Sequence, residues 1–241
     1  MLGTHRLLFY NPHRRRHIIS YGVIAYARDT DRFLIVRRRF SPHYLLFLAG
    51  TYRVANLPLY FHNMTAEELR LVRRMLYDNI DFTEMVRMIL PVENVEYATL
   101  RFRRSQNVIS KLLNHVQHTT ASNPEPEWLF PKGRSERGEA GEYAARREFV
   151  EETGIQLAPN DITLVDEDPI TTTHLADNDF IYETQYFVAV FGEELYLPKI
   201  FSNFEISARA WRTRDELQSI LGTKQLLVLT EAQRKISRLK A

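Results

Sequence analysis

Three glutamates near the middle of the chain constrain its fold most. Glu148, Glu151 and Glu152 stand at i, i+3 and i+4 of a segment, 140–153, that is typical of a helix. That spacing puts all three carboxylates on one helix face, with Cβ atoms about 5–6 Å apart. Like charges so close disfavour a helix, and a plain solvated helix would intersperse cations there. A hard divalent cation turns the repulsion into coordination, and oxygen ligands select Mg²⁺ or Mn²⁺. The pattern therefore predicts a metal-binding face.

The residues before this helix predict a loop that suits an anionic ligand. Gly133 and Gly138 allow a tight turn leading into the helix. Lys132 can reach a phosphate oxygen as a point charge. Arg147 can pair with a loop carboxylate such as Glu139. Together with the metal-binding face, these residues indicate chemistry on a phosphate-containing substrate.

The whole segment 133–155 resembles the Nudix box at every defined position. The matching residues are Gly133, Glu139, Arg147, Glu148, Phe149, Glu151, Glu152, Gly154 and Ile155. The resemblance implies an α/β/α sandwich around a mixed sheet, and a hydrolase in which a metal-activated water attacks a diphosphate. A coincidentally acidic surface helix is the alternative, and so complete a match argues strongly against it.

The resemblance also implies a role for each matching residue. Glu148, Glu151 and Glu152 would be ligands of Mg²⁺ or Mn²⁺, with one of them as a general base. Glu139 and Arg147 would form a supporting salt bridge. The carbonyl of Gly133 would also contact the metal.

A further carboxylate is expected from a loop far downstream. The stretch 203–211 resembles the corresponding stretch of mRNA-decapping Nudix enzymes, in which a glutamate precedes Ile-Ser and a Trp closes the strand. Glu205 is therefore the candidate for general base or fourth metal ligand. The alternative is an ordinary loop carboxylate.

Sequence patterning predicts a mixed α/β (α+β) fold that is interrupted after its first hairpin. Strands are predicted at 18–26 and from 33–36, with a turn between them. From 41 to 125 the pattern is helical, with helices after caps at Thr65 and Asp81 and a third at about 100–118. After a connector at 119–126, a strand at 127–130 and the box helix follow. Further strands are predicted near 162–165, 169–174, 180–190 and 207–211, with helices at about 213–221 and 224–239. We therefore divide the chain into a hairpin (1–40), a helical insertion domain (41–125) and the main Nudix portion (126–241).

This layout resembles the mRNA-decapping Nudix enzymes of large cytoplasmic DNA viruses, of the African swine fever virus type. The run 60–72 and the position of the insertion carry that resemblance. It implies hydrolysis of the 5′ cap of mRNA, releasing N7-methylguanosine diphosphate and 5′-monophosphate RNA. A small-metabolite hydrolase acting on a diphosphoinositol polyphosphate, ADP-ribose or a dinucleotide is the alternative. A catalytically dead binding fold is a third reading, which the intact carboxylates disfavour.

Charge is distributed unevenly along the chain, which agrees with an RNA substrate, and charges that only solvate the surface are the alternative. Residues 1–40 contain nine Arg and two Asp, whereas residues 127–241 contain fourteen basic and twenty acidic residues. Basic clusters occur at 14–16 and 37–39. A third cluster lies on a predicted insertion helix and is the candidate RNA-binding surface. It consists of Arg101, Arg103, Arg104 and Lys111.

The remaining composition points to a reducing compartment. The chain has no cysteine, so disulfides and thiolate zinc sites are excluded. The first residues lack the apolar run of a signal peptide, and no stretch approaches a membrane span. We therefore expect a cytoplasmic protein, in the host cytoplasm if viral, that uses no membrane. The oligomeric state stays open.

Overall fold

The computed structural model describes residues 17–78, 80–89, 92–116, 125–175, 180–201 and 203–239. The basic cluster 14–16 and most of the connector 119–126 lie outside these residues. The chain divides into two compact units. The described residues of the helical unit lie within Phe40–Pro126, and those of the sheet unit lie within Arg15–Arg39 and Glu127–Ala241.

The sheet unit is built on one mixed β-sheet, to which seven strands of the described residues contribute. The order β3-β2-β1-β6-β5 forms its main path, and β4 and β7 pair with β1 and β2. Among the strand pairs of the described residues, β1 and β6 are parallel and the other pairs are antiparallel. The strands are β1 (His17–Ala27), β2 (Arg32–Arg38), β3 (Trp128–Leu129), β4 (Lys132–Arg134), β5 (Ile170–Leu175), β6 (Ile181–Phe191) and β7 (Ile206–Thr213).

Helices cover both faces of this sheet because successive strand residues point to opposite sides. On one face, Val23 and Ala25 of β1 pack with the helix α6 (Gly141–Thr153). On the other face, Ile24 of β1 packs with the helices α7 (Arg214–Ile220) and α8 (Thr223–Arg238). This is the three-layer α/β/α arrangement around a mixed sheet that the sequence predicted.

The helical unit has a hydrophobic core of its own, which contains Phe47, Phe61 and Phe102. Its helices are α1 (Pro42–Leu48), α2 (Leu57–Asn63), α3 (Ala66–Tyr77), α4 (Phe82–Arg87) and α5 (Val92–Val116), with a 3₁₀ turn at Val54–Asn56. None of the helices in the described part of the chain is long and apolar enough to cross a membrane.

Local signals located most elements, and tertiary packing explains the differences. The helix predicted at about 100–118 begins at Val92 instead, because Val95 and Ala98 extend its buried face into the core. Helices α1 and α2 were not predicted individually, because each contains a proline, which usually interrupts a helix. Both prolines lie in the first helical turn, where the missing N–H costs nothing. The helix capped by Asp81 ends at Arg87, before the predicted stop at residue 91.

The strand predicted at 162–165 was wrong. Leu164 makes only an isolated bridge with Ala189. The chain bends at Val165, after its N–H donates to the carbonyl of Val188, so no ladder continues.

Candidate active site

Helix α6 provides the rigid support of the site. Its apolar face, with Ala145 and Phe149, is fully buried against the sheet. The helix ends at Gly154, whose φ of 68° lies in the left-handed region that favours glycine. A Cβ at Gly154 would lie 2.5 Å from the Phe201 ring, so no larger residue fits there without a shift. These contacts fix the rotation of α6 and hence the direction of its polar face.

The three predicted carboxylates differ in their burial. Glu148 and Glu152 are only 7% and 6% exposed, whereas Glu151 is exposed. Burial raises the pKa of Glu148 and, more strongly, that of Glu152. Such desolvation makes the ionised carboxylate costly unless a cation offsets its charge. The buried pair therefore suits a cationic ligand.

Gly133 is required because the carboxylate of Glu148 lies directly against its backbone. A Cβ on Gly133 would be 2.1 Å from Glu148 Cδ, so any larger residue there would displace the carboxylate of Glu148. Gly133 lies in β4, opposite Tyr21 of β1, so the sheet holds this backbone in place. The backbone of Gly133 and the carboxylate of Glu148 thus lie side by side.

Lys132 interacts with Glu152 through its backbone N–H and through the charge of its amine. Its N–H donates to Glu152 Oε2 at 2.8 Å, which holds the carboxylate of Glu152 in place. Burial lowers the pKa of the Lys132 amine, and the charge of Arg38 lowers it further. Two cations therefore lie near the buried Glu152, although the sequence had singled out only Lys132.

Arg147 connects the loop to the helix. Its Nε and Nη2 donate to Glu139 at 2.8 and 3.0 Å, and Nη2 also donates to the carbonyl of Arg134 at 2.8 Å. Its Nη1 donates to Glu148 Oε1 at 2.8 Å and to Glu151 Oε2 at 3.0 Å. The bonds from Arg147 lower the pKa of Glu139 and raise that of Arg147 itself. The expected pair of Glu139 and Arg147 is thus present as a two-pronged ion pair.

The residues fit a hard divalent ion by chemistry, although their side chains do not converge on one point. All three carboxylates offer oxygen atoms, which Mg²⁺ and Mn²⁺ prefer. The Arg147 guanidinium, placed between Glu148 and Glu151, shows that a cation is accommodated there. Within the described ranges, however, no three acidic or histidine side chains form a ready-made metal cluster.

Glu205 lies in the loop before β7, close enough to interact electrostatically with Glu148. Asn203 holds this loop. Its Oδ1 accepts the N–H groups of Glu205 and Ile206 at 2.7 and 2.9 Å, and its Nδ2 donates to the carbonyl of Glu151 at 3.0 Å. The loop is therefore attached to α6 itself. The sequence reasoning missed Asn203, although asparagine is a known turn residue whose side chain bonds the backbone two residues on.

Arg39 holds the same loop from the other side. Its guanidinium donates to the carbonyls of Asn203 and Phe204, each at 2.9 Å, and to that of Ile206 at 3.3 Å. Its backbone N–H donates to the carbonyl of Glu205 at 2.7 Å. Arg39, one of the basic cluster 37–39, thus has a structural role that composition did not reveal.

The candidate RNA-binding residues lie on α5 of the helical unit. Arg103, Arg104 and Lys111 are exposed. Arg101 is only partly exposed, because its guanidinium donates to the carbonyl of Tyr52 at 3.0 Å and stacks over the Tyr52 ring. Three of the four cations are thus presented to solvent, whereas Arg101 also stabilises the helical unit.

Known proteins resemble this chain in sequence. The family model of the NUDIX domain matches residues 106–238. A protein of Acanthamoeba polyphaga mimivirus, named as a candidate mRNA-decapping protein, is 27% identical over 221 residues. The match covers 80% of this chain and 61% of that relative, so the chain spans less than two thirds of the relative's length.

Solved structures also match this chain, at low sequence identity. A bifunctional NMN adenylyltransferase/ADP ribose pyrophosphatase from Francisella tularensis, solved with AMP and a manganese ion, matches with a TM-score of 0.51 and 11% identity. That match covers 92% of this chain and 43% of the other. The E. coli dihydroneopterin triphosphate pyrophosphohydrolase matches with a TM-score of 0.45 and 14% identity, over 90% of this chain and 96% of the other.

Proposed function

The chain belongs to the Nudix family of pyrophosphate-bond hydrolases, and from that premise we propose that it removes the 5′ cap of mRNA. The products of this reaction are N7-methylguanosine diphosphate and 5′-monophosphate RNA. The bond that breaks is a phosphoanhydride, which is the linkage that the family hydrolyses. The proposal therefore concerns the substrate of the site, and the reaction class is that of the family.

One observation carries the choice of substrate, namely the extent of the match to the mimivirus protein. That match covers 80% of this chain, which is more than the sheet unit alone could supply, because the unit excludes Phe40–Pro126. The similarity therefore extends into the helical unit. A hydrolase of small metabolites has no evident need for such a unit, whereas a long RNA needs a surface beyond the scissile bond.

Each predicted carboxylate receives a role in this proposal. Glu148, Glu151 and Glu152, with the carbonyl of Gly133, would hold Mg²⁺ or Mn²⁺. When bound, such an ion offsets charge that develops on the diphosphate and lowers the pKa of a coordinated water. Glu205, which lies in a loop that is attached to α6, would accept a proton at its carboxylate.

Two basic residues complete the proposed site. Lys132 would bind a phosphate oxygen of the diphosphate through its amine. Arg147 would act as a positioning residue, because it joins Glu139 in the loop to Glu148 and Glu151 on the helix.

Helix α5 would bind the RNA chain. Arg104 and Lys111 are seven residues apart and so lie on one face of this 25-residue helix, and Arg103 is exposed beside them. Lys and Arg on phosphates give RNA affinity that falls with rising salt. We therefore place RNA backbone contacts at these three residues.

The alternative is a hydrolase of small diphosphates, such as ADP-ribose, a dinucleotide or a diphosphoinositol polyphosphate. The Francisella tularensis protein that shares the fold is an ADP ribose pyrophosphatase, although a match at 11% identity establishes the fold alone. The two proposals share the metal-binding residues, so only the substrate separates them.

A comparison of substrates tests the choice. We expect the highest kcat/KM for long capped RNA, and a steep loss of that value between about 50 and 200 mM salt. Neutralising three exposed cations, in the variant Arg103→Gln, Arg104→Gln, Lys111→Gln, should flatten this salt dependence and spare hydrolysis of a free cap dinucleotide. The matched control neutralises Arg70, Arg74 and Arg87, which are exposed elsewhere in the helical unit. Equal salt dependence in both triple variants would argue against an RNA surface on α5, and faster cleavage of ADP-ribose than of capped RNA would overturn decapping.

A further inference from the structure

Arg38 stands at the end of β2 with its backbone fixed from two sides. Its N–H donates to the carbonyl of Glu127 at 3.1 Å, and its carbonyl accepts from Ser207 Oγ at 2.9 Å. The register between β2 and β7 shifts between Arg37 and Arg38, as at a β-bulge, where the local strand geometry changes. The backbone position of Arg38 is therefore set by the sheet.

The side chains of Arg37 and Arg39 have hydrogen-bond partners, whereas one side-chain nitrogen of Arg38 has none among the described residues. Arg37 stacks over the Trp128 ring and donates to Ser207 Oγ at 3.2 Å. Arg39 donates to three carbonyls of the loop 203–206. The Nε of Arg38, in contrast, is buried and has no hydrogen-bond partner among the described residues. A buried N–H of a charged group is costly without a partner, so such an atom calls for a ligand.

The guanidinium of Arg38 lies near Lys132 and near the buried carboxylate of Glu152. It interacts electrostatically with both Lys132 and Glu152. The attraction to Glu152 does not account for Nε, because the hydrogen bond recorded for Glu152 comes from the Lys132 backbone N–H. Two cations thus lie close together beside one buried carboxylate, an arrangement that an anionic ligand would stabilise.

Gln225, which contacts Tyr186, has another buried side-chain atom that lacks a hydrogen-bond partner among the described residues. Gly22 lies opposite Lys132 in the β1–β4 pair, and a Cβ there would be 2.7 Å from Lys132 Cβ and 2.9 Å from the Tyr186 ring. The Tyr186 hydroxyl accepts from Gln225 Nε2 at 3.1 Å, while Gln225 Oε1 is buried and has no partner in the described part of the chain. A second unpartnered polar atom of the described residues is therefore connected to the surroundings of Lys132 through Tyr186.

We propose that Arg38 and Lys132 together bind one phosphate group of the diphosphate substrate. This proposal rests on the proposed function, since it assumes a diphosphate at Glu152. The planar guanidinium of Arg38 suits two phosphate oxygens at once, whereas the Lys132 amine acts as a point charge. Arg38 is thus a substrate-binding residue, and Arg37 and Arg39 are not.

Binding of methylenebisphosphonate, a diphosphate analogue that cannot be hydrolysed, tests the proposal. Isothermal titration calorimetry in the presence of Mg²⁺ would compare wild type with Arg38→Gln and Arg38→Lys. We expect Arg38→Gln to raise Kd by about 10- to 100-fold, as for the loss of a charge-assisted hydrogen bond, and Arg38→Lys to raise it less. The control is Arg28→Gln, an exposed arginine at the hairpin turn. It should bind as wild type does.

Thermal unfolding separates binding from a structural role. Because Arg38 Nε makes no hydrogen bond to the described residues, Arg38→Gln should melt within a degree or two of the wild type. A large loss of Tm would show instead that Arg38 supports the fold. Equal Kd values for Arg38→Gln and Arg28→Gln, or no binding by the wild type, would also overturn the proposal. If Arg38→Gln weakens binding while the wild type cleaves no capped RNA, the decapping proposal fails and the phosphate subsite stands.

Discussion

At the scale of single residues, Arg147 shows why the motif requires its particular residue types. Its guanidinium donates at once to Glu139, to Glu148, to Glu151 and to the carbonyl of Arg134. Only a planar group with several fixed N–H donors can make these bonds together. A lysine would retain the charge and lose the connection between loop and helix, so Arg147 cannot be replaced conservatively.

Asn203 should prove to be a positioning residue for Glu205. Asn203→Ala removes the acceptor of two N–H groups and the donor to Glu151, so the loop before β7 loses its attachment to α6. We expect kcat to fall by about 10- to 100-fold, because a displacement of about 1 Å costs that much, while KM changes little. Steady-state kinetics measure this split. Asn160→Ala, an exposed asparagine of the same unit, should behave as wild type does.

Asn203→Asp refines the same prediction. Aspartate retains the oxygen that accepts from Glu205 and loses only the donor to Glu151, so it should recover part of kcat. Identical kinetics for Asn203→Ala and wild type would mean that the loop position does not depend on this side chain.

At the scale of elements, helix caps organise the helical unit. Thr65 and Glu68 form a reciprocal capping box at the start of α3. The carboxylate of Glu68 is only 2% exposed and also accepts the N–H and the hydroxyl of Ser41, the cap of α1. One carboxylate therefore ties the beginnings of two helices together, which the sequence pattern predicted only for α3.

Glu68→Gln should destabilise the protein by about 2–3 kcal/mol. The substitution removes the charge that strengthens three hydrogen bonds and directs an amide donor toward other donors. Urea unfolding, followed by circular dichroism, gives the free energy of unfolding. Glu67→Gln provides the control, because Glu67 is exposed in the same turn and should change stability by less than about 0.5 kcal/mol. Similar values for both variants would disprove the role of Glu68.

At the scale of the whole molecule, the sequence predicts what depends on near neighbours. The hairpin β1–β2, the capped helix α3 and the box helix α6 are all specified by turns, caps and periodicity within a short window. The eleven-residue parallel pairing of β1 with β6 was not predicted, because it joins His17–Ala27 to Ile181–Phe191. Such pairing follows from tertiary packing, which no local pattern encodes.

The site divides in the same way. The motif supplied Glu139, Arg147 and the helix carboxylates, since their spacing is local. The residues that hold the site from outside the motif were missed, because they act through distant backbone atoms. Arg39 and Asn203 fix the loop of Glu205. Arg38, at the end of β2, interacts electrostatically with Lys132.

The most direct test of the central claim is the identity of the nucleotide released from cap-labelled RNA. The purified protein would be incubated with this RNA and Mg²⁺ or Mn²⁺, beside the variants Glu152→Gln and Glu142→Gln. Glu142 lies in the first turn of the same helix, where it pairs only loosely with Arg146, at 3.7 Å. We predict that wild type and Glu142→Gln release N7-methylguanosine diphosphate and that Glu152→Gln is slower by orders of magnitude. The account would be contradicted if the wild type released no N7-methylguanosine diphosphate, or if Glu152→Gln released it equally fast.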